Sequence, residues 1–267
     1  MSGPGVGPGV STPCALTARG LHKRFGGLTV ADNIHLSLPA GARHALIGPN
    51  GAGKTTLVGL LTGLLRADSG QIWLGSTDVT RLSPQARVKH GLVRTFQVNS
   101  LFPSLTVRQN VELALSEHAG TSRSMLRSIG SLTHLAERAL ATLAQVGLEH
   151  EAGQRVSELA YGPQRLLEIA LALALEPRVL LLDEPAAGVA SADAERMMSA
   201  IERLPCDIAI LMIEHDMRIV RRFAQTVTVL VAGQVLATDT PEAIMTSEAV
   251  RRVYLGSGGQ ARYGHGS

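Results

Sequence analysis

The densest chemistry in the 267-residue sequence is the run Gly48-Pro49-Asn50-Gly51-Ala52-Gly53-Lys54-Thr55-Thr56. It satisfies G-x-x-x-x-G-K-[ST], the pattern of a loop that cradles phosphates. Without Cβ atoms at Gly51 and Gly53, successive backbone N–H groups can converge on an anion. A helix starting directly after the loop adds partial positive charge at the same point. Lys54 then brings a compact ammonium to the β- and γ-phosphates, where a wide guanidinium fork fits less well. Thr55 offers a hydroxyl to Mg²⁺. The chain has three lysines, Lys23, Lys54 and Lys89, against 22 arginines, so a lysine at this position departs from the chain's habit. A nucleotide triphosphate with Mg²⁺ is the ligand such a run implies.

A second group lies at Val179-Leu180-Leu181-Leu182-Asp183-Glu184-Pro185, where an apolar strand ends in two carboxylates. Ligands of open α/β sheets sit at the carboxyl ends of strands, so the pair falls where a nucleotide would be. Asp183 is placed to hold Mg²⁺, directly or through water. Glu184, one residue on and facing differently, is placed to polarise an attacking water.

The elements that must position these groups alternate in type. Leu16–Arg24 and Asn33–Leu38 read as strands, the second with Ile34, Leu36 and Leu38 on one face. Arg43–Ile47 is a short buried strand leading into the glycine run, and Lys54–Leu65 is an apolar-periodic helix. Gln71–Leu74 and Leu92–Phe96 are further strands, bracketing a helix start at Ser83-Pro84. From Val98 to Ser157 the pattern is helical. Thr106-x-x-Gln109 has capping-box spacing, and the Ala/Leu-rich segment Thr133–Val146 ends at Gly147. Alternation then resumes: a helix from Gly162 to Glu176, strand Val179–Leu182, helix Ala192–Leu204, strand Ile208–Ile213, helix Met217–Ala224, strand Thr226–Val231, a further short strand and helix Pro241–Leu255. This predicts an α/β fold with a mostly parallel sheet covered on both faces. Residues 1–13, rich in Gly and Pro, are expected to be a disordered extension.

Composition narrows the partners. With 25 basic and 22 acidic residues the net charge is +3, too little to argue for a nucleic-acid groove. Apolar runs such as Ile208–Ile213 fall far short of the roughly 18–20 residues of a membrane span, so the chain is not expected to cross a bilayer by itself. Met1–Val10 lacks the basic start and apolar centre of a secretory signal. Cys14 and Cys206 form no ligand cluster or disulfide framework, a usage that suits a reducing cytoplasm.

Together with the phosphate loop and Val179–Glu184, the string Glu158-Leu159-Ala160-Tyr161-Gly162-Pro163-Gln164-Arg165 resembles an ATP-binding cassette (ABC) ATPase, across nearly all of Leu16–Gly256. The resemblance implies a P-loop NTPase with a RecA-like core, an N-terminal antiparallel β part and an inserted helical subdomain. That divides the chain into the extension, a cassette over 14–256 with the insert at 98–158, and a flexible tail at 257–267. It also implies ATP hydrolysis by two cassettes packed head to tail, as a homodimer or with a paralogous cassette. Leu159, Ala160, Tyr161 and Gly162 stand where the family signature LSGGQ meets the γ-phosphate held by the opposite subunit, using a helix N-terminus in trans. Ala160 replaces the usual serine and removes a hydroxyl contact. Pro163 replaces the usual glutamine and removes an N–H, a loss the first turn of a helix tolerates. Ala190 stands where the family usually has a polar residue.

Three further positions are implied by the same resemblance. Gln97 matches the glutamine that orients water or Mg²⁺ and senses movement of the insert. His215, in Ile213-Glu214-His215-Asp216, matches the histidine that contacts the γ-phosphate and steadies the catalytic glutamate. Phe25 lies near the place where the family stacks an aromatic on adenine. The strings IGPNGAGKTT (47–56), VRTFQ (93–97), LLEIA (166–170), PAAG (185–188) and IEHDM (213–217), with the ending Val253-Tyr254-Leu255-Gly256, are similar to the ATP-binding subunit of branched-chain amino acid importers. That type works on the cytoplasmic face of the membrane with transmembrane permease subunits and, indirectly, an extracytoplasmic solute-binding protein. Similar cassettes serve urea and short-chain amide importers, and one drives lipopolysaccharide export. A soluble cassette acting on DNA or ribosomes usually carries two cassettes or a long coiled-coil insert. This sequence has neither.

Overall fold

The computed structural model describes residues 14–95, 101–119 and 129–256. The expected extension at 1–13, the tail at 257–267 and Gln97 lie outside the described residues, as does Phe96.

Two sheets share the core. The first is antiparallel and four-stranded: β1 (Cys14–Phe25), β2 (Leu28–Pro39), β4 (Ser69–Leu74) and β5 (Thr77–Asp78), in the order β2-β1-β4-β5. β1 and β2 form one long hairpin with Phe25 opposite Leu28, so β2 starts five residues before the predicted strand. The turn residues are Gly26-Gly27, a glycine pair of the kind that closes tight hairpins.

The second sheet has six strands in the order β10-β9-β3-β8-β7-β6. These are β3 (Arg43–Ile47), β6 (Leu92–Arg94), β7 (Val179–Asp183), β8 (Ala209–Ile213), β9 (Thr226–Val231) and β10 (Gln234–Asp239). β9, β3, β8, β7 and β6 run parallel, and β10 is the antiparallel edge. Successive side chains of the parallel strands divide between two apolar clusters. Ala45, Ile47, Leu180, Leu182, Ile210 and Met212 face one side, and Leu46, Val179, Leu181, Leu211 and Ile213 the other. Both faces are therefore dry, which is why these strands read as continuous apolar runs.

The first cluster is covered by helices α3 (Val107–His118), α4 (Ile129–Val146), α5 (Tyr161–Leu173), α6 (Ser191–Glu202) and α7 (Met217–Phe223). The second is covered by α1 (Lys54–Thr62) and the antiparallel sheet. A six-residue helix, α2 (Pro84–Lys89), starts at the predicted Ser83 cap. The capping box at Thr106 is formed in both directions, with Gln109 N–H to Thr106 Oγ1 at 3.1 Å and Thr106 N–H to Gln109 Oε1 at 2.9 Å.

The single helix predicted over Pro241–Leu255 is instead two, α8 (Pro241–Thr246) and α9 (Glu248–Gly256). Ser247 between them has ψ 121°, and its Oγ accepts the Val250 N–H at 3.5 Å. A serine can satisfy the backbone of a new first turn, so the apolar periodicity continues across a break. α1 also stops short of the predicted Leu65, at a left-handed Gly63.

Candidate functional site

Parallel strands β6, β7, β8 and β3 all point their carboxyl ends to one edge of the sheet, so the loops leaving these strands gather there. After β3 comes the loop Gly48–Gly53. Gly48 and Ala52 are buried, Pro49 and Gly53 half-buried, and Asn50 and Gly51 exposed. Gly53 has φ 101°, and a Cβ there would lie 2.7 Å from the Val30 carbonyl oxygen, so only glycine fits between β2 and the start of α1. The loop closes on itself through Ala52 N–H to Pro49 O at 3.1 Å.

Lys54 is folded back over this loop, its Nζ donating to the carbonyls of Gly48 at 2.7 Å and Pro49 at 3.1 Å. Burial lowers its pKa, and the charges of Glu184 and Asp183 pull the other way. The two carboxylates are therefore within electrostatic reach of the ammonium. Thr55 is exposed and Thr56 half-buried in the first turn of α1, whose start has no side-chain cap.

Asp183 ends β7, and Glu184 comes next in the left-handed region at φ 45° while its N–H bonds the Ile213 carbonyl at 3.0 Å. That backbone kink separates the directions of the two carboxylates. Asp183 Oδ2 accepts from Arg94 Nη2 of β6 at 2.5 Å. Glu184 Oε1 lies 3.5 Å from Nδ1 of His215, in the loop after β8. The neighbouring Glu214 is only 2% exposed; burial pushes its carboxyl pKa up, although the N–H groups of His215 and Asp216 donate to its Oε2 at 3.0 and 3.4 Å. Its role is to hold the His215 loop by its backbone.

The segment before α5 has a different build. Leu159 is buried in the apolar core, so its side chain anchors the segment from behind. Ala160 is the N-cap of α5 and supplies no side-chain acceptor. Tyr161 is 47% exposed, with the Arg165 guanidinium 5.0 Å from its ring centre and Arg165 Nε donating to its hydroxyl at 2.9 Å. A Cβ on Gly162 would come within 2.5 Å of the Asp193 side chain, so this glycine sets how closely α5 approaches α6. The first helical bond is Gln164 N–H to Ala160 O at 3.2 Å, so Pro163 sits where no intrahelical acceptor is lost. Ala190 caps α6, again without a side-chain bond.

Phe25 is half exposed at the tip of the β1–β2 hairpin, 5.3 Å from Lys23 Nζ, and not a core residue. Gln97 is not among the described residues. Two residues at the site were not singled out from the sequence, Arg94 and Glu214. Each is a charge at the end of an apolar strand, and that is the signal that could have found them.

The oxygen donors on hand, the Thr55 hydroxyl and the Asp183 carboxylate, are of the kind Mg²⁺ accepts, and Asp183 already takes a cation. Among the described residues no cluster of three His, Cys, Asp or Glu could hold a metal unaided. A Mg²⁺ ion here would therefore depend on phosphate oxygens for part of its shell. No described helix is long and apolar enough to cross a membrane.

Residues 31–187 match the family described as ABC transporter, and residues 234–259 one described as branched-chain amino acid ATP-binding cassette transporter. The chain is 38% identical over 248 residues to the high-affinity branched-chain amino acid transport ATP-binding protein LivG of Escherichia coli (strain K12), covering 90% of this chain and 97% of that protein. It is 35% identical, over the same 248 residues and shares, to the corresponding protein BraF of Pseudomonas aeruginosa. Among solved structures, the ADP conformation of MJ1267, an ATP-binding cassette of an ABC transporter, superposes with a TM-score of 0.79 at 28% identity. The match covers 91% of this chain and 99% of that one.

Proposed function

The chain belongs to the ABC transporter ATP-binding family, and from that premise we propose that it binds and hydrolyses MgATP to drive import of branched-chain amino acids. The observation that carries the catalytic part is the meeting of three strand ends: Lys54 within the fields of Asp183 and Glu184, and Glu184 3.5 Å from His215. The substrate class rests on LivG and BraF and on the match at 234–259.

In this reading the loop Gly48–Gly53 and the N-terminus of α1 bind the phosphates through backbone N–H groups. Lys54 exchanges its two carbonyl partners for β- and γ-phosphate oxygens. Thr55, Asp183 and Gln97 would hold Mg²⁺, which would neutralise charge on the phosphates. Glu184 polarises the attacking water, and His215 steadies that carboxylate and reaches the γ-phosphate. Phe25 stacks on the adenine. Leu159, Ala160, Tyr161 and Gly162 complete the site of a second cassette, which is a second copy or a paralogue. Transmembrane permease subunits take up the motion at the cytoplasmic face of the membrane, and an extracytoplasmic binding protein delivers the solute to them.

Replacing Glu184 by Gln tests the reading. It keeps the shape and removes the base, so turnover falls by about 10²–10⁴-fold while ATP affinity is retained and an ATP-stabilised dimer accumulates. Turnover equal to that of the unaltered chain removes Glu184 from the role.

A further inference from the structure

We propose that Arg94 is a resident counter-ion for Asp183 that the incoming metal must displace, so that Arg94 sets the metal affinity of the site. This rests on the proposed function, in which Asp183 binds Mg²⁺. The Arg94 side chain is 19% exposed and that of Asp183 13%, with Nη2 to Oδ2 at 2.5 Å. The Nε of Arg94 is buried with no hydrogen-bond partner among the described residues.

Two other inward-facing arginines, Arg87 and Arg43, are bonded differently. Arg87 donates to the carbonyls of Leu60, Leu61, Thr80 and Leu82 at 2.6–3.3 Å. Arg43 donates to Ile208, Leu204 and Pro205 carbonyls at 2.6–3.2 Å. Those guanidinium groups tie segments together with most of their donors. Among the described residues Arg94 makes one side-chain bond, to the single carboxylate that the metal uses, and leaves a buried donor unsatisfied.

Electrostatics explains why a cation is wanted there. A mostly buried carboxylate without a counter-charge is costly, and Glu184 one residue away adds a like charge. Arg94, in direct contact, and Lys54, through its field, answer that cost when no metal is present. Mg²⁺ at the Asp183 carboxylate would bring a second cation beside the guanidinium that holds Oδ2, and the two repel at that range. Binding of metal and release of the Arg94–Asp183 pair are therefore one exchange. Because the Nε donor has no partner among the described residues, release forfeits a single bond among them.

The test uses Mn²⁺ as a paramagnetic substitute for Mg²⁺, with free Mn²⁺ read by electron paramagnetic resonance on the full chain carrying ATP and Glu184→Gln to suppress turnover. Arg94→Met, of similar length and no charge, is expected to bind Mn²⁺ about tenfold more tightly and to melt at a lower temperature without metal. Arg94→Lys keeps the charge and is expected to stay near the parent affinity. If Arg94→Met does not fold, Arg94→Gln carries the same expectation, since it keeps a donor for Asp183 without the charge. Mn²⁺ affinity unchanged or weakened in a folded neutral variant overturns the proposal. Asp183→Asn with Mn²⁺ affinity equal to the parent's overturns instead the assignment of Asp183 as a metal ligand.

Discussion

The loop before α1 and the loop before α5 both run into a helix whose first turn has no side-chain cap, yet they differ in what surrounds that bare end. The first is enclosed by its own chain: Lys54 folds over it, Val30 and Gly233 press on Gly53, and Asp183 and Glu184 stand within electrostatic reach. The second has a buried Leu159 behind it and an exposed Tyr161 in front, and its N-cap, Ala160, has no side-chain acceptor to offer the first turn. Elsewhere α2, α3, α7 and α8 start on Ser83, Thr106, Asp216 and Thr240, each accepting a backbone N–H. Such a cap is worth about 0.5–2 kcal/mol, so α1, α5 and also α6, which starts on Ala190, give up stability at their first turns; at α1 and α5 the proposed function uses the bare N–H groups for an anion. In the proposed function one loop binds nucleotide within the chain, and the other completes the site of a second cassette.

The largest expected effect falls on the enclosed loop. Lys54→Ala removes a preorganised cation, and ATP turnover falls about 10²–10³-fold with a parallel loss of ATP affinity in a fluorescent-nucleotide titration. Equal ATP affinity in the variant would erase the distinction between the loops.

A smaller effect separates the loops from the scaffold that carries them. His44 on β3 is 3% exposed, bonds Thr228 Oγ1 at 2.8 Å, and burial lowers its pKa to about 4. The unfolded chain takes up the proton near pH 6.5 and the folded chain only near pH 4. The stability this difference supplies at neutral pH is thus lost as pH falls through that window, by about 3 kcal/mol. His44→Gln keeps a polar partner for Thr228 and should flatten that part of the curve of unfolding free energy against pH. It should leave ATP affinity at neutral pH unaltered.

The smallest effect is at the open loop. Ala160→Ser supplies the missing cap and should raise stability by about 0.5–1 kcal/mol in denaturant unfolding. ATP affinity of the isolated chain should not move if, as proposed, this segment serves another molecule's nucleotide.

Legibility in the sequence divides in the same way. The enclosed loop is readable outright, because G-x-x-x-x-G-K-T between a buried strand and a helix states its own geometry, and Arg43–Ile47 and Lys54 fall where that pattern requires. The parallel strands are readable because both of their faces are dry. The break at Ser247 is hidden because periodicity does not register a residue that can end one helix and start the next. The start of β2 at Leu28 is hidden because the hairpin tip is exposed and lacks alternation. Arg94 escapes notice because its partner is 89 positions away, and only strand order puts β6 beside β7. Leu159 reads in sequence as part of a ligand surface; the fold turns its side chain inward.

In the proposed function the nucleotide held by one chain is hydrolysed only when another chain's Leu159–Gly162 segment closes over it. The direct test is steady-state ATP turnover per chain, measured on the purified protein across a wide range of its own concentration. Turnover is expected to be low in dilute solution, rising faster than in proportion to protein or only when a partner cassette is added. Full turnover per chain that stays constant on dilution would contradict it.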